Sequence, residues 1–437
     1  MNFSLRLIVN EVRNNVKQSF NLPGDKSIAH RSLIIGSLAK GRYKIENFPR
    51  GLDCLATLDC VRKLGANAEL KENTIFVDSP GYEGFNKYPG ILDAKNSGTT
   101  VRLMSGILAG CGIKASFIGD ESLSRRPMKR IINPLEEMGA KIKSCEGLLP
   151  LKFEENSKLK AINYQMPVAS AQVKSCLLIA GFLGEGETII KEQSPTRDHS
   201  ERMLKYINAS INKEDNTIKI KNSELKCKDI YVPGDISTAA FLIGTAIISN
   251  NCELVLENIL LNPGRKNYID ILKDMGANIE VYIKEKVNEE EIGTIKVKSS
   301  NIHGITISSE RIPNIIDEIP ILSVISAFAK GTTVFEEVNE LKYKESNRIE
   351  AIIDNLKAFG VKSQYINSNL IIYGDNDYMD AEVTVNPKKD HRIALSFLAM
   401  AAKNKGKTCI ENFECTEISF PEAIDYFKCF YDLYTEQ

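Results

Sequence analysis

One phrase recurs six times along the chain: an apolar stretch of helical length, a Gly or Asn stop, then a short β-branched strand. The copies are RSLIIGSLAKGRYKIENF (31–48), VRLMSGILAGCGIKASFIGD (101–120), SCLLIAGFLGEGETIIKE (175–192), AAFLIGTAIISNNCELVLENI (239–259), ILSVISAFAKGTTVFEEV (321–338) and ALSFLAMAAKNKGKTCIENF (394–413). Their stops, Gly41, Gly112, Gly186, Asn251, Gly331 and Gly406, lie 65–80 residues apart and span the whole chain, so one fold unit has been used six times. The apolar stretches are hydrophobic nearly all round, which predicts buried helices packed together under sheets that face solvent. A second phrase, a helix ending in Gly and feeding a strand, recurs between them as VRKLGANAEL (61–70), LEEMGAKIK (135–143), LKDMGANIEV (272–281) and LKAFGVKSQY (356–365). Each unit therefore holds about two helices and several strands, an α/β architecture.

With 437 residues the chain exceeds one ordinary core. The tetrapeptides LPGD (22–25) and VPGD (232–235) divide three units from three. Pro-Gly pairs punctuate a chain and make poor helix. They are read as two crossings of one hinge, giving a domain of residues 22–234 and a domain of residues 1–21 plus 235–437, with a ligand cleft between them.

Charge balance excludes several classes of function. The 56 basic and 57 acidic residues leave a net charge of −1, so no global field favours nucleic acid or an anionic membrane. The ten cysteines form no CxxC pair and no His/Cys zinc spacing, and no leader-like segment opens the sequence. Apolar runs such as 236–249 are too short or too interrupted to cross a bilayer. These features predict a cytoplasmic protein with reduced thiols, no zinc site, and no nucleic-acid or membrane partner.

Against that neutral background, cations cluster at helix starts. In LPGDKSIAHRS (22–32), Asp25 is placed to cap a helix, Lys26 and Ser27 lie at its open end, and Arg31 follows Ser27 by one turn. Free N–H groups, an ammonium, a hydroxyl and a guanidinium within one helix start form an anion site. NSGTTVR (96–102) puts small residues at another helix start, with Arg102 a turn after Thr99. SRRPMKR (124–130), SAQVKS (170–175), TRDHSER (196–202), KYKESNR (342–348) and DHR (390–392) complete the set. Taken together, Lys26, Arg31, Arg102, Arg126, Lys174, Arg197, Lys344, Arg348 and Arg392 are expected to form one strongly positive pocket. Such a pocket calls for small ligands carrying phosphates and carboxylates. Neither GxxxxGK[ST] nor a strand-GxGxxG-helix is present, so a nucleotide phosphate loop is excluded. Asp317 in IDEIP and Glu345 in KYKESNR are acids among these cations, suited either to proton transfer or to spacing the arginines.

The motifs LPGDKSIAHRS, NSGTTVR, RRPM, SAQVKS, RDHSER, KESNR and DHR, in this order, resemble those of the enolpyruvyl transferase family, over essentially all of the chain. The resemblance implies six βαβαββ units in two inside-out α/β domains that close on the substrates. It is nearest to the shikimate-pathway members, which transfer the enolpyruvyl group of phosphoenolpyruvate to the 5-hydroxyl of shikimate 3-phosphate without metal or organic cofactor; a monomer is expected. Carried over, it assigns Lys26, Ser27, Arg31, Ser170, Ala171, Gln172, Arg197, Asp317 and Lys344 to shikimate 3-phosphate. It assigns Lys26, Asn96, Gly98, Arg126, Gln172, Arg348 and Arg392 to phosphoenolpyruvate, and catalysis to Asp317, Glu345 and Lys26. It also implies that glyphosate competes with phosphoenolpyruvate next to Gly98.

The chain departs from the family at two places. Thr416, Glu417 and Ile418 stand where many members carry a Lys before SFPE, and Glu340 stands where Asn is frequent. The sister reaction on a uridine-diphosphate sugar is disfavoured, because the loop GDESLSRRP (119–127) lacks the reactive Cys usual there. A non-catalytic RNA-binding repeat protein would interleave aromatics with its cations, and here only Tyr343 does so.

Overall fold

The computed structural model describes residues 5–377 and 379–436. Two compact units emerge: a first made of Gly24–Pro233 with Lys286–Glu290, and a second made of the chain up to Pro23, Gly234–Glu285 and the chain from Glu291 on. The amide of Asp25 donates to Pro233 O at 2.7 Å, and the amide of Asp235 to Pro23 O at 3.0 Å.

All six apolar stretches are helices. In the first unit they are Lys26–Ile34, Gly98–Gly110 and Ala171–Leu183; in the second, Ile236–Ile248, Ile319–Ser326 and His391–Met400. Every residue of Ile236–Ile248 is buried, as an all-round apolar helix requires. Within the first unit, a Cβ on Gly106 would lie 2.4 Å from the carbonyl oxygen of Cys176, so the second and third helices approach backbone to backbone. The stops have a conformational cause. Gly41, Gly112, Gly186, Asn251 and Gly331 all adopt positive φ, while Gly406 sits where a Cβ would come within 2.3 Å of Ala381 O. In the first copy the strand starts at Lys40, one residue before the stop.

Each described sheet has four strands in a shared order. The strand after a buried helix pairs on one side with a short parallel strand and on the other with an antiparallel strand, which pairs in turn with its own neighbour. In the first unit Ile230–Tyr231 runs parallel to Lys40–Glu46, which is antiparallel to Thr74–Pro80, which is antiparallel to Asn67–Lys71. Burial alternates along Thr74–Pro80 with the period-two pattern of a sheet covered on one face. In the second unit Thr408–Ile410 is parallel to Val383–Val385 and antiparallel to Arg6–Val12, with Leu7 opposite Ile410; Arg6–Val12 then pairs with Tyr431–Glu436.

Candidate active site

The first unit places Lys26, Ser27, Gly98, Ser170, Ala171 and Gln172 at the starts of its three buried helices, Arg31 in the last turn of the first, and Arg126 between the helices Glu121–Ser124 and Lys129–Glu137. Asp25 caps the Lys26 helix by accepting from the Ile28 amide at 2.9 Å, and Ser97 caps the Gly98 helix by accepting from Thr100 N at 3.1 Å. Ser170 caps the third helix, accepting from Val173 N at 3.4 Å, which turns Ala171 and Gln172 out as its first residues. Lys26 is partly exposed and ion-paired with the buried carboxylate of Asp53. Arg31 is buried and fully oriented: Nε donates to Ser200 Oγ at 2.8 Å, Nη1 to Ser27 O at 2.9 Å and Nη2 to Ser175 Oγ at 3.1 Å.

Arg102 donates from Nη1 to Gln172 Oε1 at 2.6 Å, and Gln172 donates from Nε2 to Thr99 Oγ1 at 3.0 Å. The orientation of Gln172 is therefore fixed by the neighbouring helix. Arg126 reaches Asn96 Oδ1 and Ser122 Oγ, each at 3.1 Å, while Asn96 donates to Asp120 Oδ2 at 2.7 Å. Gly98 is the close neighbour of both arginines: a Cβ there would stand 2.8 Å from Arg102 Nη1 and 3.5 Å from Arg126 Nη1. Beneath these groups runs a buried relay. His30 Nδ1 and Thr57 Oγ1 are 2.6 Å apart, Thr57 and Thr100 hydroxyls 2.6 Å apart, and Thr100 Oγ1 donates to Ser97 Oγ at 2.7 Å. Burial first, then the charges of Lys26 and Arg31, push the His30 imidazole well below its ordinary pKa, so it is neutral.

In the second unit the predicted groups form a charge network. Arg348, at the start of the helix Arg348–Ala358, is completely buried. It donates from Nε to Asp390 Oδ2 at 2.8 Å and from Nη2 to Glu345 Oε2 at 2.6 Å, and its Nη1 lies 3.5 Å from Asp317 Oδ1. Desolvation opposes the charge, and the coulombic pull of Asp390, Glu345 and Asp317 outweighs it, so the guanidinium stays protonated. Lys344 Nζ lies 3.8 Å from Asp317 Oδ1. Arg392 donates from Nη1 to Asp317 O at 3.0 Å and lies 3.6 Å from Glu318 Oε1. Asp390 also caps its helix, accepting from Arg392 N at 3.0 Å. Chemically, this places two partly exposed carboxylates, Asp317 and Glu345, on one arginine. At the family's missing-lysine position, the Thr416 hydroxyl turns back to Phe413 O at 2.9 Å.

One expectation needs correction. Lys174, counted from sequence among the ligand-binding cations, is fully buried and held by Glu192 and Glu201 at 3.1 and 2.6 Å. Its helix is apolar on every side, so spacing alone does not reveal which side chains point inward. Sequence reasoning also passed over Asp53, Ser175 and Ser200, which orient Lys26 and Arg31, and Glu318 and Asp390 beside the second unit's arginines. Asp390 carried a signal, an N-cap residue two before Arg392; Ser175 and Ser200 carried none.

Comparison with known proteins gives a consistent result. A family model described as EPSP synthase (3-phosphoshikimate 1-carboxyvinyltransferase) matches residues 11–427. A 3-phosphoshikimate 1-carboxyvinyltransferase of Clostridium tetani is 53% identical over 425 residues, covering 97% of each chain. One from Caldicellulosiruptor saccharolyticus is 44% identical, covering 94% of this chain and 96% of its own. Among solved structures, EPSP synthase from Acinetobacter baumannii superimposes with a TM-score of 0.89 at 36% identity, covering 100% of both chains.

Proposed function

Because the chain belongs to the EPSP synthase family and transfers the enolpyruvyl group of phosphoenolpyruvate to the 5-hydroxyl of shikimate 3-phosphate, we propose that the two groups of polar residues described above divide that work. The first unit supplies most contacts to shikimate 3-phosphate: Lys26, Ser27, Arg31, Ser170, Ala171, Gln172 and Arg197, with Asp317 and Lys344 of the second unit reaching its hydroxyls. Phosphoenolpyruvate is held by Lys26, Asn96, Gly98, Arg126, Gln172, Arg348 and Arg392. The observation that carries this reading is that three of these side chains are already oriented: Arg31 by Ser200, Ser27 and Ser175, Arg126 by Asn96 and Ser122, and Gln172 by Arg102 and Thr99.

In this reading Asp317 takes the proton of the attacking 5-hydroxyl as oxygen bonds to C2 of phosphoenolpyruvate. Glu345 protonates the methylene, giving a tetrahedral ketal, and later removes a proton as phosphate leaves. The Arg348 guanidinium shared by Asp317 and Glu345 orients both carboxylates, and Lys26 stabilises charge on the phosphoenolpyruvate oxygens. The two substrates together carry about two phosphates and two carboxylates, whose repulsion the cations offset. Among the described residues no helix is long and apolar enough to cross a membrane. We read the protein as a cytoplasmic monomer acting on small molecules.

The test is steady-state phosphate release with each substrate varied in turn. Arg31→Ala should raise KM for shikimate 3-phosphate at least about tenfold while changing KM for phosphoenolpyruvate little, and Arg126→Ala should do the reverse. Equal effects on both substrates would refute the division.

A further inference from the structure

A buried cluster in the first unit lies outside the residues assigned to substrate. Lys174 Nζ meets Glu192 at 3.1 Å, Glu201 Oε1 at 2.6 Å and the carbonyl of Thr196 at 3.3 Å, with all three charged side chains buried. Glu192 in turn accepts from the Thr196 amide at 3.1 Å and from the Thr196 hydroxyl. One ammonium thus ties three segments together. The helix Ala171–Leu183 begins with Ala171 and Gln172; the segment 192–198, which is neither helix nor strand, carries Arg197; and the helix His199–Tyr206 carries Ser200, the partner of Arg31.

Two carboxylates around one ammonium, away from water, are a poor source of stability, because apolar side chains of similar volume commonly do as well. What such a cluster supplies is geometry. A segment without ladder hydrogen bonds cannot orient Arg197 by secondary structure, and Thr196, the residue before it, is gripped at its amide, hydroxyl and carbonyl together. On the Glu201 side, the adjacent Ser200 receives Arg31 Nε at 2.8 Å and donates to Ser175 Oγ at 2.6 Å. The same ammonium therefore stands next to Thr196, the residue before Arg197, and next to Glu201, the residue after the Ser200 that holds Arg31.

We infer that Lys174 is a positioning residue for shikimate 3-phosphate, acting through Glu192 and Thr196 on Arg197 and through Glu201 on the Ser200–Arg31 contact. The inference rests on the assignment of Arg197 and Arg31 to that substrate. It makes Lys174, Glu192 and Thr196 determinants of substrate affinity that touch no substrate.

Calorimetric titration of the full-length protein with shikimate 3-phosphate separates the possibilities. Thr196→Val, which removes one hydroxyl from the cluster and leaves every charge paired, should raise Kd about three- to tenfold, and Thr196→Ser should restore it. Lys174→Met should raise Kd by about tenfold or more where it folds; Thr196→Val carries the test where it does not. KM for phosphoenolpyruvate at saturating shikimate 3-phosphate should stay within about twofold in Thr196→Val, a split that general loosening of the fold would not produce. Arg197→Ala should weaken binding by itself, and adding Thr196→Val to it should change nothing further. A wild-type Kd in Thr196→Val beside a raised Kd in Arg197→Ala overturns the positioning role alone. A wild-type Kd in Arg197→Ala overturns the substrate assignment and the inference with it.

Discussion

The two units open their leading helices alike and then surround the helix starts with different charge. Asp25 caps the Lys26 helix through Ile28 N, and Asp235 caps the Ile236 helix through Ser237 N and Thr238 N at 2.7 and 3.0 Å. In the first unit, Arg31 is oriented by two serine hydroxyls and a carbonyl, and Arg102 by an amide oxygen. In the second, Arg348 meets three carboxylates, and Glu318 accepts from Ser237 Oγ at 2.5 Å. Hydroxyl and amide oxygens orient the Arg31 and Arg102 guanidinium groups, while Lys26 is paired with the Asp53 carboxylate. Arg348 in turn fixes the carboxylates around it, which include the two proposed to take and give protons. In the proposed reading the first unit supplies most of the anion contacts, and the second adds Arg348 and Arg392 and carries the acid–base pair Asp317 and Glu345.

The largest test of this contrast is Arg348→Met. It leaves Asp390 buried without its principal cation, and should cost about 3–5 kcal/mol in urea unfolding, part of which Asp390→Asn should restore. A loss below about 1 kcal/mol would mean that the carboxylates do not depend on Arg348. Next is Glu345→Gln, which keeps the hydrogen bond to Arg348 Nη2 and removes the transferable proton. Turnover should fall roughly 10²-fold or more while the Kd for shikimate 3-phosphate holds within about twofold; near-normal turnover would reduce Glu345 to a spacer.

Third comes Gly98→Ala in the first unit. The new methyl displaces Arg102 Nη1, and with it the grip on Gln172, so the inhibition constant of glyphosate should rise about tenfold with a smaller rise in KM for phosphoenolpyruvate. Identical inhibition constants, compared at matched ionic strength, would detach Gly98 from the first unit's anion contacts.

The smallest effect concerns His30. Because its folded pKa is depressed, the unfolded chain takes up the proton first as pH falls, and stability declines below about pH 6.5. His30→Asn should flatten the stability–pH slope there by up to about 1.4 kcal/mol per pH unit. An unchanged slope would mean that burial and the charges of Lys26 and Arg31 do not hold the His30 proton affinity down.

The six buried helices were legible because their hydrophobicity runs all round and each ends at a residue suited to left-handed or crowded backbone. The helix–Gly–strand phrase was legible in four places. A fifth instance, His199–Tyr206 followed by Ser210–Glu214, was hidden because its stop is Asn208 at positive φ. Sheet pairing was hidden for another reason: Lys17–Asn21 alongside Glu253–Leu260 is a contact between segments with no local pattern linking them. Among the proposed site residues, the motifs singled out Lys26, Arg31, Arg126 and Arg392, but did not reveal that Arg31 lies in the last turn of its helix and Arg126 between two helices. The His30–Thr57–Thr100 relay and the inward turn of Lys174 depend on which faces of apolar helices meet, and no single-helix periodicity carries that information.

The closing of the second unit's last sheet by Arg6–Val12 has a consequence in time. Pairs in the first unit's three sheets all lie between Lys40 and Tyr231, so these sheets can form as that stretch leaves the ribosome. The N-terminal strand must wait for Thr408–Ile410 and Tyr431–Glu436, roughly 20–80 s at about 5–20 residues per second. Throughout that interval it is an open edge of the kind that recruits other nascent chains. Its sequence RLIVNEV breaks the apolar run with Asn10 and Glu11, and the register of the finished strand shifts between Val9 and Glu11. That polar interruption limits how far a wrong partner can zip along the waiting strand.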